Sequence, residues 1–436
     1  MEHGRGNWSG SFGFILAGIG SAVGLGNIWR FSFVAGQNGG AAFVLVYMAC
    51  VLAVGIPVML AEFMIGRRAQ RDVVGAFSHL QPGSPWALTG WLHAASAFVI
   101  LSYYTVVGGW VLHYVGLSCL NSFAGLPAEE IGGLFGQLTG SATTQIFWHA
   151  VFMLTTILVV VRGVSRGLEQ SNKIMMPLLF FMLCGLLVYS LQTDGARQGI
   201  AFLLSPRWDQ LTPQSVLAAM GQAFFSLSIA AGIMVTYGSY LEKQTDLVRP
   251  AFYIAVGDTL VALLSGFVIF PLVFTFQLEP SAGPGLIFQT LPITFSQLPG
   301  GQILAIVFFI LLIFAALSSA MSLLEVVVAY FIDEKGWSRT QATWVVGGVI
   351  FACGVPSDLS GEFFDMADTI VTNYMLPTGG LLIAVFSGWV LSQTVRREEF
   401  MSGAVSEQLY TGWVFLIRYV SPVAVAIILL QSLNLF

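Results

Sequence analysis

The run Gly18-Ile19-Gly20-Ser21-Ala22-Val23-Gly24-Leu25-Gly26-Asn27-Ile28-Trp29-Arg30 sets four glycines, an amide and a guanidinium inside an apolar segment that begins near Phe12. Glycine costs about 1 kcal/mol in a helix interior and lets other groups approach the main chain. A helix interrupted here frees peptide carbonyls, which ligate hard cations, and peptide N–H groups, which hold anions. The same glycines also fit a small-residue face for helix packing. Asn27 and Arg30 shift the balance toward a site, because polar groups at membrane depth are costly and usually functional. A second run, Gly221-Gln222-Ala223-Phe224-Phe225-Ser226-Leu227-Ser228-Ile229-Ala230-Ala231-Gly232, gathers small and hydroxyl residues in another apolar segment. A third, Ala315-Ala316-Leu317-Ser318-Ser319-Ala320, carries paired hydroxyls. These either ligate or bond back to their own helical turn.

The elements that must position these runs are membrane helices. The chain has 436 residues, of which 56% are hydrophobic and only 9% charged, with a mean hydropathy of +0.82. Soluble domains carry roughly 25% charged residues, so the expected surroundings are a lipid bilayer and the fold class is an all-α membrane protein. Runs of about 20 apolar residues predict eleven spans, at 11–35, 41–66, 88–120, 145–162, 172–192, 214–240, 252–277, 301–332, 340–355, 363–392 and 411–433. No soluble domain interrupts them. The proline-bearing segment 278–300 reads as a partly helical loop folding back over the bundle. The apolar N-terminus runs into Asn27 and Arg30 without a cleavage site, so it reads as the first span rather than a signal peptide.

With the N-terminus inside, thirteen Lys/Arg fall in inner loops and two, Arg197 and Arg207, in outer ones. That bias predicts a cytoplasmic N-terminus and, with an odd span count, an external C-terminus. The net charge of −5 comes without a phosphate-tracking basic run, so no nucleic-acid partner is expected. The four cysteines and five histidines form no metal spacing. No nucleophile–base pair or nucleotide loop points to an enzyme.

Spans one and six lie five spans apart, and both carry an interruption. Interrupted helices at corresponding positions of two halves point to a transport site between inverted repeats. The segments SAVGLGNIWRF (21–31), NGGAAF (38–43), GIP (55–57), AEFMIGR (61–67), GQAFFSLS (221–228), SGFVIF (265–270) and FAALSS (314–319) together resemble the neurotransmitter:sodium symporter family, in its bacterial amino-acid branch with eleven spans. The similarity covers nearly the whole chain.

That resemblance implies a five-plus-five inverted repeat with discontinuous helices 1 and 6. Repeat one covers about 8–192 and repeat two about 214–392, with an extra helix at about 411–433. It implies a multi-pass protein of the bacterial inner membrane that carries an amino acid with two Na+ ions. The first ion would meet Ala22, Asn27, Ser226 and Asp258, and the second Gly20, Val23, Ala315, Ser318 and Ser319. The substrate would lie among Ser21, Ala22, Leu25, Gly26, Ile100, Tyr104, Phe225, Ser226, Ser228, Ala231, Ser319 and Leu323, with Phe225 closing the outer side. An outer gate would pair Arg30 with Asp368. An inner gate would pair Arg5 with Asp333, beside Trp8 and Tyr240.

Departures from the family pattern narrow the expectation. Gly24 stands where monoamine carriers have Asp, and Leu25 where carriers of longer amino acids tend to have Gly, so the cargo is expected to be an α-amino acid bringing its own carboxylate. Ala231 replaces a bulkier residue, which points to a hydrophobic or aromatic side chain. The alternatives are a small polar or β-amino acid, or a sodium-dependent sensor on the same fold. Tyr47, Gln222 and Ser226 of the chloride site are kept, but Asp258 and Ala262 replace its Asn and Ser. A fixed carboxylate there implies transport without chloride. Asp258 is either a plain sodium ligand or also takes up a proton on the empty return step.

Overall fold

A computed structural model describes residues 6–276, 285–403 and 405–433. Among the described residues every regular element is helical. Nine helices are long and apolar enough to cross a membrane: Ala41–Ala69, Ala87–Cys119, Ala142–Val160, Val164–Ser190, Val248–Thr275, Gly301–Asp333, Arg339–Leu359, Gly361–Val390 and Glu407–Ser432. A tenth span is bent, with Ser11–Ala22 and Gly26–Gln37 meeting at 56°. The sixth span of the sequence reading is present as two short pieces, Pro213–Ser226 and Ile233–Ser239, each too brief to cross alone. Eleven crossings are consistent with this arrangement. The fifth span starts earlier than the hydropathy suggests, at Val164, because a π-helical turn (Val164–Glu169) takes Arg166 and Glu169 into the helix.

Each interruption has a local cause. At the first, Val23 leaves helical geometry (φ −70°, ψ 104°) and the glycine-rich run resumes as a π-turn at Gly26–Arg30. At the second, Ser228, Ala230 and Gly232 take φ of +51°, +65° and +76°. Positive φ costs a non-glycine residue energy and persists only where the surroundings hold it. One such support is Glu62 of span two, buried completely, whose Oε1 accepts the Ala230 N–H at 2.6 Å. The second half of span six rests on span two where both backbones are bare: a Cβ at Gly66 would fall 1.9 Å from the Val235 carbonyl, and one at Gly238 2.7 Å from the Phe63 carbonyl. Small residues of this kind set how closely membrane helices approach. Spans three and eight, the two 33-residue helices, pack along one another and flank the broken pair.

The described part of the segment after span seven is helical, Leu286–Thr290 and Leu291–Gln297. It lies over the bundle: Phe288 stacks on Phe135 (5.0 Å, 7°), and its carbonyl accepts the Tyr114 hydroxyl at 2.7 Å. Pro280 and Pro284 of the predicted loop lie outside the described residues.

Candidate functional site

Both interruptions open onto one pocket lined by residues of spans one, three, six, eight and ten. Its walls include Ala22, Gly24, Gly26, Ile100, Tyr104, Phe225, Ser226, Ser228, Ala231, Ser319 and Leu323. Ten of the twelve residues named for the substrate therefore share this space. The other two take part through the main chain. The Ser21 carbonyl accepts the hydroxyls of Ser228 (2.8 Å) and Ser319 (3.1 Å), and the Leu25 N–H donates to the Tyr104 hydroxyl at 3.4 Å. A Cβ would crowd a neighbouring side chain at two wall positions: on Gly24 it would sit 2.8 Å from Ser319 Oγ, and on Gly26 2.6 Å from the Phe225 ring. Phe224, Ile229, Ile233 and Leu376 complete the wall. Sequence reasoning passed over them, because apolar residues in apolar spans carry no signal of which face they occupy.

Beside the pocket, Asn27, Ser226 and Asp258 meet, fully or almost fully buried. Asn27 Nδ2 donates to Asp258 Oδ1 (2.6 Å), to the Asp258 carbonyl (3.1 Å) and to Ser226 Oγ (3.0 Å). Ser226 donates to Asp258 Oδ2 at 2.7 Å, and the Tyr47 hydroxyl donates to the same oxygen at 3.3 Å. Asn27 Oδ1 accepts the Gly24 N–H at 3.0 Å. Gln222 reaches the Gly26 carbonyl at 3.1 Å. A carboxylate thus stands among the amide N–H of Asn27 and the hydroxyls of Ser226 and Tyr47, supplied by three other spans. With the Asn27 amide turned to present Oδ1, the set would offer only oxygens, as a hard cation requires.

The residues named for a second ion are less closely gathered. Ser318 Oγ lies 3.5 Å from the Val23 carbonyl and 3.0 Å from the Ala315 carbonyl. Ser319 instead turns to the pocket side, toward Ser21. Gly20 packs on span five, where a Cβ would fall 2.0 Å from Asn172 Oδ1.

The outer gate differs from expectation. Among the described residues no ion pair within 4.0 Å joins Arg30 to Asp368. Arg30 lies 4.5 Å above the Phe225 ring, and Asp368 accepts from Tyr103 (2.9 Å) and Thr372 (3.2 Å). The ring offers the guanidinium a cation–π partner and Tyr103 donates to the carboxylate, while the two charges still act on each other at longer range. Tyr103 was missed because it sits one residue before the more conspicuous Tyr104.

At the Lys/Arg-rich end, Arg5 lies outside the described residues. Asp333 Oδ2 accepts the Asp72 N–H at 2.8 Å. Trp8 is buried among Phe14, Tyr237 and Tyr240, with ring centroids at 5.9, 5.0 and 6.2 Å, and donates to the Tyr237 carbonyl at 3.0 Å. Below it Tyr240 donates to Glu325 Oε1 (2.6 Å), and Arg339 clasps Glu325 through both Nη atoms (2.8 and 2.9 Å). Glu62 and Glu325 were visible as acids within apolar runs, the signal that marks function at membrane depth. Only the folded chain shows what each one holds.

The fold and the site define a polytopic membrane transporter built around two interrupted helices. The model of the sodium:neurotransmitter symporter family matches residues 5–130 and 137–436, and the chain belongs to this family of sodium-dependent transporters, which are not enzymes. It is 39% identical over 440 residues to the sodium-dependent transporter YhdH of Bacillus subtilis, with 98% of each chain covered. It is 33% identical over 452 residues to a sodium-dependent transporter of Haemophilus influenzae, again with 98% of each covered. Among solved structures, MhsT in complex with L-phenylalanine matches with a TM-score of 0.91 and 46% identity, over 98% of this chain and 100% of that one.

Proposed function

We propose that this transporter imports a hydrophobic or aromatic L-α-amino acid together with two Na+ ions, by alternating access and without chloride. The observation that carries the reading is the Asp258–Asn27–Ser226 cluster standing against a pocket whose remaining walls are mostly apolar. A cation entering the cluster takes over the oxygens that Asn27 Nδ2 now holds, and Asn27 presents Oδ1 to it instead. The substrate carboxylate then lies between this ion, the peptide N–H groups near Leu25 and Gly26, and Tyr104. Its side chain extends toward Ile100, Ala231 and Leu323. A second ion at Val23, Ala315 and Ser318 joins span one to span eight.

Both ions bridge a moving helix to its neighbours, so each favours one arrangement by its differential affinity. Trp8, Phe14, Tyr237 and Tyr240 close one side, and Phe225 with Arg30 the other. The L-phenylalanine complex of MhsT supports an aromatic cargo. The carboxylate of Asp258 supplies the charge that chloride would otherwise bring. The Lys/Arg-rich end, carrying the N-terminus, faces the cytoplasm of a bacterial cell, and the C-terminus is external.

The test is uptake of a panel of labelled amino acids into proteoliposomes, with chloride or gluconate as anion. Saturable uptake of phenylalanine, tryptophan or leucine, equal in both anions, is expected. A preference for glycine, a β-amino acid or γ-aminobutyrate would overturn the substrate assignment, and binding without accumulation would indicate a sensor.

A further inference from the structure

At the Lys/Arg-rich end most arginines have an acidic partner. Arg67 meets Glu399 at 2.7 Å, Arg68 meets Glu398 at 3.1 Å, Arg339 meets Glu325 at 2.8 Å, and Arg397 meets Glu407 at 3.1 Å. Arg396 and Arg418 are different. Both are at least partly buried, yet neither has a carboxylate within 4.0 Å among the described residues. Both converge on the last carbonyls of the helix Gly361–Val390. Arg396 Nη1 donates to Ser387 O at 3.1 Å and to Gly388 O, and Arg418 Nε donates to Gly388 O at 2.6 Å.

Capping a helix end explains part of this. A helix C-terminus carries only about half a negative charge, so two guanidiniums leave more than one positive charge uncompensated. Burial first, and the charge of Arg418 second, lower the pKa of Arg396, against a smaller opposing effect of the Tyr410 hydroxyl. Arg396 is 3% exposed and its Nε has no partner among the described residues. The Nη groups of Arg418 have no protein acceptor there either. Its guanidinium lies 5.3 Å from the Trp389 ring.

The surroundings indicate what is recognised. Trp389, Phe415 and Tyr419 are 56%, 57% and 50% exposed on the flank of the bundle, with Tyr419 within 5.7 Å of both other rings. Gly388 lies two residues from the end of its span, Val390. Tryptophan and tyrosine gather at the headgroup level of a bilayer, and a guanidinium fork matches phosphate oxygens.

We propose that Arg418, supported by Arg396 and Trp389, binds the phosphodiester headgroup of an acidic phospholipid, whose acyl chains run along Trp389, Phe415 and Tyr419. The leaflet is the inner one if the orientation proposed above holds; the site itself does not depend on the transport assignment. A zwitterionic lipid brings its own cation to a pocket already positive. A soluble phosphate gains nothing from the exposed rings.

The test is native mass spectrometry of the delipidated full-length protein in detergent, titrated with phosphatidylglycerol, phosphatidylcholine, glycerol phosphate and inorganic phosphate. Phosphatidylglycerol adducts are expected to outlast phosphatidylcholine adducts. Arg418→Gln should weaken the former about fivefold, the value of one basic residue at a lipid surface. Trp389→Ala, which leaves the bonds to Gly388 in place, should weaken them about twofold and serves if the Gln variant does not fold. Arg397→Gln, an exposed control outside the site, should change nothing. Undiminished binding by Arg418→Gln and Trp389→Ala, or equal retention of phosphatidylcholine, would overturn the proposal. Equal protection by inorganic phosphate would replace the lipid by a soluble anion.

Discussion

Replacing Asp258 by Asn removes a unit charge from the ion cluster while leaving its volume unchanged. In the structure Asp258 Oδ2 accepts both the Ser226 hydroxyl (2.7 Å) and the Tyr47 hydroxyl (3.3 Å), while Oδ1 accepts from Asn27 (2.6 Å). An amide keeps one accepting oxygen, which can serve either the two hydroxyls or the Asn27 amide, so the other side loses its acceptor. At a cation–oxygen distance of about 2.4 Å and an effective dielectric of about 20, the lost attraction is about 7 kcal/mol gross. The desolvation cost of a buried carboxylate offsets much of it, and removing one member of a buried pair typically costs about 3–5 kcal/mol. At the lower figure, Na+ affinity falls roughly 100-fold. The hydroxyls or Asn27 N–H left without an acceptor, and the new amide N–H groups, are all donors, so chloride should restore part of the loss. The assay is equilibrium binding of labelled substrate as a function of Na+ concentration, in chloride and in gluconate. A Na+ half-saturation within about threefold of the parent, together with no response to chloride, would refute the reasoning.

Ala231→Leu fills the wall beside Ile233 and Leu323. It should reduce phenylalanine uptake at least tenfold while sparing alanine, since inserted bulk in a packed site costs about 1–3 kcal/mol; competition by unlabelled amino acids measures this. Trp8→Ala removes the buried ring between Phe14, Tyr237 and Tyr240 at a cost of about 3 kcal/mol. A cysteine placed at Ser239, in a chain without its four native cysteines, should then be alkylated from the Lys/Arg-rich side more than tenfold faster. Asp72 caps the helix Val73–Leu80 through the Val74 and Gly75 N–H groups at 2.9 and 3.1 Å, and burial pushes its carboxyl up to about 6. In the unfolded loop the carboxyl ionises near its ordinary 3.8, so the folded loop alone holds the proton between these values. Its stability therefore falls as pH rises from about 4 to about 6 and levels off above, by roughly 2–3 kcal/mol. Asp72→Asn, which keeps a good cap, should abolish that fall in the hydrogen-exchange opening energies of the helix.

The spans and both interruptions were legible because each rests on a local property. Twenty apolar residues make a crossing, and the glycines of 18–26 and the small and hydroxyl residues of 221–232 disrupt one. Asn27 and the hydroxyls around Ser226 stood out for the same reason, as polar groups in apolar runs, whereas Asp258 was named only through the family resemblance. Pairings across the bundle were another matter. Arg30 rests over the Phe225 ring and Asp368 accepts from Tyr103, each partner supplied by a different span. The clasp of Tyr240, Glu325 and Arg339 joins three spans, and no periodicity within any one of them announces it. Leu376 reaches the pocket from span ten, where it looks like any lipid-facing leucine.

The central claim is that two broken helices hold peptide and side-chain oxygens for Na+ beside an amino acid. Its most direct test is uptake of labelled L-phenylalanine into proteoliposomes under an inward Na+ gradient, repeated with choline in place of Na+. Accumulation above the external concentration in Na+, abolished in choline and by collapsing the gradient, is the predicted result. Concentrative uptake that persists unchanged in choline would contradict it.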